Sequence, residues 1–211
     1  MTIRRKIATF LLACSILGGG FVAIDAGNAK AAQRPAIAVA ATIDSISTSA
    51  AAALATMDTP NFARRLQNTA IAVGTSLEID AGLLQQAWVA ADQSHQLALL
   101  SALTQVGVPY HRNASEAGVG FDCSGLTAFA WGHVGVDLAR QSGDQLRNAS
   151  PRTRETAQAG DLLWYPGHIM IWLGVDNFIV HAKQRGSDVE VGHVSDRRVG
   201  RLKFADPIAL V

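Results

Sequence analysis

The chain carries two cysteines among its 211 residues, and one of them, Cys123, sits in the stretch Gly-Phe-Asp-Cys-Ser-Gly-Leu at 120–126. A thiol becomes a useful nucleophile when it is ionised and accessible. At the first turn of a helix, free amide groups and the helix dipole favour the thiolate. Asp122 or Ser124 would cap such a helix, and Gly120 and Gly125 would let a substrate backbone come close. The bland alternative is a small buried hydrophobe, the commonest fate of a lone cysteine, and the motif alone divides evenly between the two. The six histidines tip the balance. His168 follows a Pro-Gly turn and begins the apolar run HIMIWLG, and His181 closes the run FIVHAK. Two antiparallel strands joined by a turn at residues 174–177 would set these histidines nearly opposite each other. One then serves as base, and the other accepts its second ring proton and fixes its tautomer.

Those three side chains need a scaffold, and the pattern supplies one. Thr59 and Pro60 open a helical stretch, Asp80 caps a second and Ser94 a third that ends at Gly107. Trp88 lies on the apolar face of the second and belongs in a core. Leu126, Phe129 and Ala130 keep helical spacing after Cys123. Beyond residue 160, DLLWYP, HIMIWLG, FIVHAK, VEVGHV and GRLKFAD are short apolar runs separated by turn residues, which predicts a meander of antiparallel strands. Helices followed by strands make an α+β layout. His95 reads as a helix-surface residue, His133 as a helix-end residue, and Asp161 as a turn or strand-start group. Cys123, His168, His181 and His193 include metal-ligand types, but no close pair such as Cys-x-x-Cys occurs, so neither metal nor cofactor is expected.

The N-terminus gives the compartment. Arg4, Arg5 and Lys6 precede an apolar run, and Ala29 and Ala31 offer a small-x-small cleavage pattern, so residues 1–31 are expected to be a secretory signal. A retained membrane anchor, or lipidation at Cys14, is the rival. Residues 32–58 are rich in Ala, Ser and Thr and read as a spacer from membrane or wall. Four of the 18 basic residues and one of the 17 acidic ones precede Ala32, so the remainder has a formal charge near −2. No basic stripe interleaved with aromatics is visible, which argues against nucleic acid.

The blocks GVPY…GVGFDCSGL, AGDLLWYPGHIMIWLG and FIVHAK, in that order and spacing, resemble the NlpC-type family of cell-wall cysteine peptidases. The likeness spans roughly residues 96–211. It implies a papain-like α+β fold in which N-terminal helices and a cysteine-bearing helix pack on an antiparallel sheet. It assigns residues 94–211 to the peptidase domain and leaves 59–93 as a separate helical segment. Position by position, it implies Cys123 as nucleophile, His168 as base, His181 as the orienting residue and Tyr110 near the oxyanion. It also implies that Asp122 and Ser124 shape substrate binding. The implied reaction is hydrolysis of peptidoglycan stem peptides at the D-glutamyl–diaminopimelate bond, in a monomer that is secreted or held in the cell envelope. Arg112, Arg140 and Arg185 are candidates to meet stem-peptide carboxylates. A non-enzymatic wall-binding or regulatory module, or a papain-like amidase or acyltransferase, is the alternative. The sequence departs from the family where His111, Arg112 and Asn113 follow the tyrosine and where Ala139 replaces a proline before Arg140.

Overall fold

The computed structural model describes residues 43–208; the expected signal segment and the start of the spacer lie outside them. Four helices come first: α1 (43–54), α2 (Phe62–Leu77), α3 (Ala81–Ala90) and α4 (Gln93–Leu103). A two-residue hairpin, β1 (Ser115–Glu116) and β2 (Gly120–Phe121), leads into α5 (Cys123–Gly132). Then come α6 (Ser142–Asn148), β3 (Ser150–Arg152), β4 (Leu162–Tyr165), β5 (His168–Trp172), β6 (Phe178–Ala182), β7 (Val189–His193), α7 (Asp196–Val199) and β8 (Lys203–Asp206). The architecture is α+β, with α5 and the N-terminal helices on an antiparallel sheet. None of the described helices is long and apolar enough to cross a membrane.

The six-stranded sheet runs β3-β8-β4-β5-β6-β7, all antiparallel. Strands β4 to β7 form the expected meander. The last strand departs from it, returning to pair with β4 and β3. Side chains alternate across the sheet. Ile169 and Ile171 of β5 join the helix-covered core, while Met170 and Trp172 pack on the other face with Leu163, Ile179, Val194 and Phe204.

The helical caps follow local chemistry. Asp80 accepts the amide of Gly82 at 2.8 Å to open α3, as expected. Helix α2 opens at Asn61 rather than Thr59, and α4 at Asp92 rather than Ser94. Asp92 trades hydrogen bonds with Gln158, whose side-chain oxygen takes the Asp92 amide, and this ties the start of α4 to the strand region.

The packing runs across the expected boundaries at residues 58 and 93. Within the expected spacer, Ile46, Ala50 and Ala53 of α1 are fully buried in the same core as Leu66, Leu84, Trp88, Leu126, Ile171 and Val180. Their i, i+4, i+7 spacing puts one isoleucine and two alanines on a single narrow stripe, and the alanines permit close approach. Trp88 donates its indole N–H to the carbonyl of Leu173 at 2.8 Å, directly behind the β5–β6 turn. The N-terminal helices therefore complete the hydrophobic core of the sheet.

Candidate active site

Cys123 is the first residue of α5, where the sequence pattern placed it. The Asp122 side chain caps the helix by accepting the Gly125 amide at 2.8 Å, and its carbonyl accepts from Leu126. That leaves the amides of Cys123 and Ser124, the other two of the opening turn, directed at the sulfur. A third amide comes from the sheet. Strands β5 and β6 pair only at Ile171↔Val180 and Trp172↔Ile179 and splay apart beyond. The splay frees the backbone N–H of Ile169, which points at the Cys123 thiol.

His168 begins β5, one residue from that amide. The strand register puts His181 level with Met170, two residues from the expected opposition to His168. The rings still meet across the splay, with His168 Nε2 and His181 Nδ1 2.8 Å apart and the ring planes at 74°. Beyond them, His181 stands directly opposite Glu190 on β7, and its Nε2 lies 3.5 Å from Glu190 Oε1. Lys183 Nζ donates to the same oxygen at 3.0 Å. The carboxylate of Glu190 was missed in the sequence because only the β6–β7 register brings it to His181. Tyr110 is half-buried beside the thiol: burial raises its hydroxyl pKa, helped by Cys123 and Asp122 and opposed by Arg112 and Arg185.

The electrostatics differ from the expected thiolate. Burial pushes the Cys123 thiol up, and Asp122 adds to the shift. The amides of Ile169, Ser124 and Cys123 pull the other way without cancelling it. Burial first, then the neighbouring His181 and Arg198, lowers the His168 pKa to about 3. Both shifts favour the uncharged forms at neutral pH, a neutral thiol and a neutral imidazole. Glu190 moves oppositely: its hydrogen bond to His181, reinforced by Lys183 against the cost of burial, brings it to about 2.

Asp122 and Ser124 are both buried, and their polar groups are taken up inside the protein. Arg140 reaches from the loop before α6 to place one guanidinium nitrogen 2.6 Å from Asp122 Oδ2 and the other 3.0 Å from Oδ1. It also donates to Ser124 Oγ at 2.9 Å. Burial alone would raise the Asp122 carboxyl; Arg140 and the Gly125 and Asn113 amides outweigh it and hold it below its usual range. Arg140 is thus a brace for the first turn of α5, while Arg112 and Arg185 stay exposed near Tyr110. The motif glycines make room for the protein itself. A side chain on Gly125 would start 2.0 Å from the carbonyl oxygen of Ala114, and one on Gly120 would enter the His111 ring.

His95 is not on the surface. It is fully buried, edge-on to Trp131, with Nε2 3.1 Å from Asp161 Oδ1 and 3.3 Å from Asp206 Oδ1. This is the one grouping of ligand-type side chains close enough for a metal among the described residues. Its carboxylates already receive the Gln158 amide, Arg152 and the Ile208 amide. The trio reads as a clamp that fastens α4 to β8 and the start of β4. His133 ends α5, as expected, with Nδ1 3.0 Å from the Phe129 carbonyl. His193 is exposed at the end of β7 against Phe178.

A cysteine leading a helix that packs on an antiparallel sheet carrying two histidines is the layout the sequence likeness implied, and residues 107–201 match the NlpC/P60 family. Over these residues the chain is similar to an NlpC/P60 domain. Over 134 residues, covering 56% of this chain and 54% of the relative, the sequence is 33% identical to the peptidoglycan endopeptidase RipB of Mycobacterium tuberculosis. It is 32% identical over 94 residues to a gamma-D-glutamyl-L-lysine dipeptidyl-peptidase of Bacillus cereus, covering 41% of this chain and 28% of that one. Among solved structures, the P60 domain of an antigen from M. avium subspecies paratuberculosis aligns at 25% identity with a TM-score of 0.49, covering 56% of this chain and 97% of that one. The chain spans between 24% and 54% of the length of the curated relatives it matches.

Proposed function

We propose that the NlpC/P60 domain is a cysteine endopeptidase that hydrolyses peptidoglycan stem peptides at the D-glutamyl–diaminopimelate bond, working in the cell envelope after export. The observation that carries the reading is the 2.8 Å contact between His168 Nε2 and His181 Nδ1. It leaves His168 Nδ1 as the nitrogen available to take a proton, at the strand start whose next amide meets the thiol. A histidine held this way is poised as a base.

Sulfur attacks the scissile carbonyl carbon while the thiol proton passes to His168 Nδ1. The carbonyl oxygen takes up the negative charge, faced by the Cys123 amide and the Tyr110 hydroxyl. The C–N bond then breaks, and the leaving nitrogen takes the proton from His168 Nδ1, giving a thioester. Water, losing a proton to the same nitrogen, attacks the thioester. Collapse returns the proton to sulfur and releases the new carboxylate. Because the thiol rests neutral, proton transfer to His168 accompanies attack.

The test is mass spectrometry of muropeptides after digestion of purified peptidoglycan by the wild type, Cys123→Ala, His168→Ala and His181→Ala. The expected result is a new amine at diaminopimelate and a new D-glutamate carboxyl. Both are absent with Cys123→Ala and His168→Ala and reduced with His181→Ala, since water can replace an orienting partner. Wild-type binding with no products would refute the peptidase reading in favour of a wall-binding module. Products joined to an added amine would mark an acyltransferase.

A further inference from the structure

The His168–His181 contact has a direction, and it depends on a residue outside the three that the sequence motifs pick out. To accept the thiol proton on Nδ1, neutral His168 must carry its own proton on Nε2 and donate it to His181 Nδ1. His181 then has its proton on Nε2. The reverse arrangement satisfies the same 2.8 Å contact equally well: His181 Nδ1–H donates to His168 Nε2, and the His168 proton sits on Nδ1. In that state His168 cannot act as a base. Neutral imidazoles alone do not choose between the two.

The structure assigns the choice to Glu190, which we infer is the positioning residue that sets the tautomer of the histidine pair. Its Oε1 lies 3.5 Å from His181 Nε2. A carboxylate accepts hydrogen bonds and donates none, so it favours the proton on His181 Nε2, and through the 2.8 Å contact on His168 Nε2 as well. Two features hold Glu190 in that role. The β6–β7 pairing places it directly across from His181. Lys183 Nζ, 3.0 Å from the same oxygen, keeps the carboxylate in place and ionised. The sequence from thiol to Lys183 then has one sense throughout: Cys123 S–H toward His168 Nδ1, His168 Nε2–H toward His181 Nδ1, His181 Nε2–H toward Glu190.

The inference rests on the catalytic reading for its kinetic arm, so the test has a second arm that needs no substrate. Nitrogen-15 NMR of the imidazoles in the reduced, resting protein reports which ring nitrogen of each histidine carries the proton. The wild type is expected to show Nε2–H on both His168 and His181. Glu190→Ala is expected to move a large fraction of both to Nδ1–H. Glu190→Gln, whose amide oxygen still accepts, is expected to fall between them. On peptidoglycan fragments, Glu190→Ala should lower kcat about tenfold with KM unchanged, the scale of one lost charge-assisted hydrogen bond, with Glu190→Gln recovering part of the loss. Unchanged tautomers in Glu190→Ala, or an effect on KM alone, would overturn the assignment. A wild type inert toward peptidoglycan would instead defeat the peptidase reading, with the NMR arm still deciding the role of Glu190.

Discussion

Holding His168 neutral should cost the folded protein stability in mild acid, and the size of the effect follows from its burial. His168 is only 7% exposed, and its pKa falls from the ordinary 6.5 to about 3. Each unit corresponds to about 1.36 kcal/mol, so the protonated ring is disfavoured by about 5 kcal/mol in the fold. The sign follows from proton counts. Between pH 6.5 and 3 the unfolded chain binds a proton at this residue and the folded protein does not, so stability declines as pH falls through that window. The shifted carboxyls, Asp122, Glu155 and Glu190, are lowered from ordinary values of 3.8, 4.5 and 4.5, so their contribution is lost only further into acid. The interval from pH 6.5 to 5 therefore lies above these carboxyls, and within it His168 should cost the wild type about 2 kcal/mol.

Urea unfolding followed by tryptophan fluorescence at half-unit pH steps measures this, with His168→Gln as the comparison. The variant keeps a polar side chain without the titration, so its stability curve should be flatter by about 2 kcal/mol across the same interval. Two companion measurements look at the same neutrality. The acid limb of kcat/KM should lie well below pH 6.5, and alkylation of Cys123 by iodoacetamide should keep accelerating above the ordinary thiol range rather than level off near neutrality. Equal slopes for wild type and His168→Gln, or an alkylation plateau in weak acid, would refute the neutral pair and restore the thiolate expected from the helix terminus.

Two further outcomes test the scaffold. A chain beginning near Asp92 loses Leu66, Val73, Leu84 and Trp88, all at most 2% exposed; at about 1.5–3 kcal/mol for each such side chain the loss rivals the whole stability of a domain, so this chain should be insoluble or unfolded by circular dichroism, and a soluble, active product would show that the N-terminal helices are dispensable after all. Arg140→Met should lower stability by about 1–2 kcal/mol in urea titration, a modest figure because its side chain is 40% exposed, and should lower kcat by loosening the first turn of α5; unchanged kcat would remove Arg140 from the support of Cys123.

Much of this was legible in the sequence because it depended on short-range pattern. Cys123 opens a helix since Asp122 is a good cap and Gly125 alone fits under the Ala114 carbonyl. The five strands after residue 160 follow from apolar runs set off by turn residues. What the sequence concealed was decided at long range. His95 is separated from Asp161 by 66 residues, and nothing near it in the chain announces a buried carboxylate partner. The helix at 43–54 was obscured by composition. Counting large side chains suggested a tether, but Ile46, Ala50 and Ala53 need only a small stripe to lie flat against a prepared core.

The same distinction explains why the site was found while its electrostatics were not. Residue types name a nucleophile and a base, but burial and register determine their charge. The helix terminus does supply amides to Cys123, and the splay of β5 from β6 adds that of Ile169. The packing that aims those amides also removes water from the thiol and from His168, and desolvation is the larger effect on both. A neutral pair has a compensating advantage for acyl transfer: the proton that must leave sulfur already has one acceptor, and Glu190 across from His181 favours the lone pair of His168 on Nδ1. The direction of the hydrogen bonds, more than the basicity of any one ring, then prepares the site for attack.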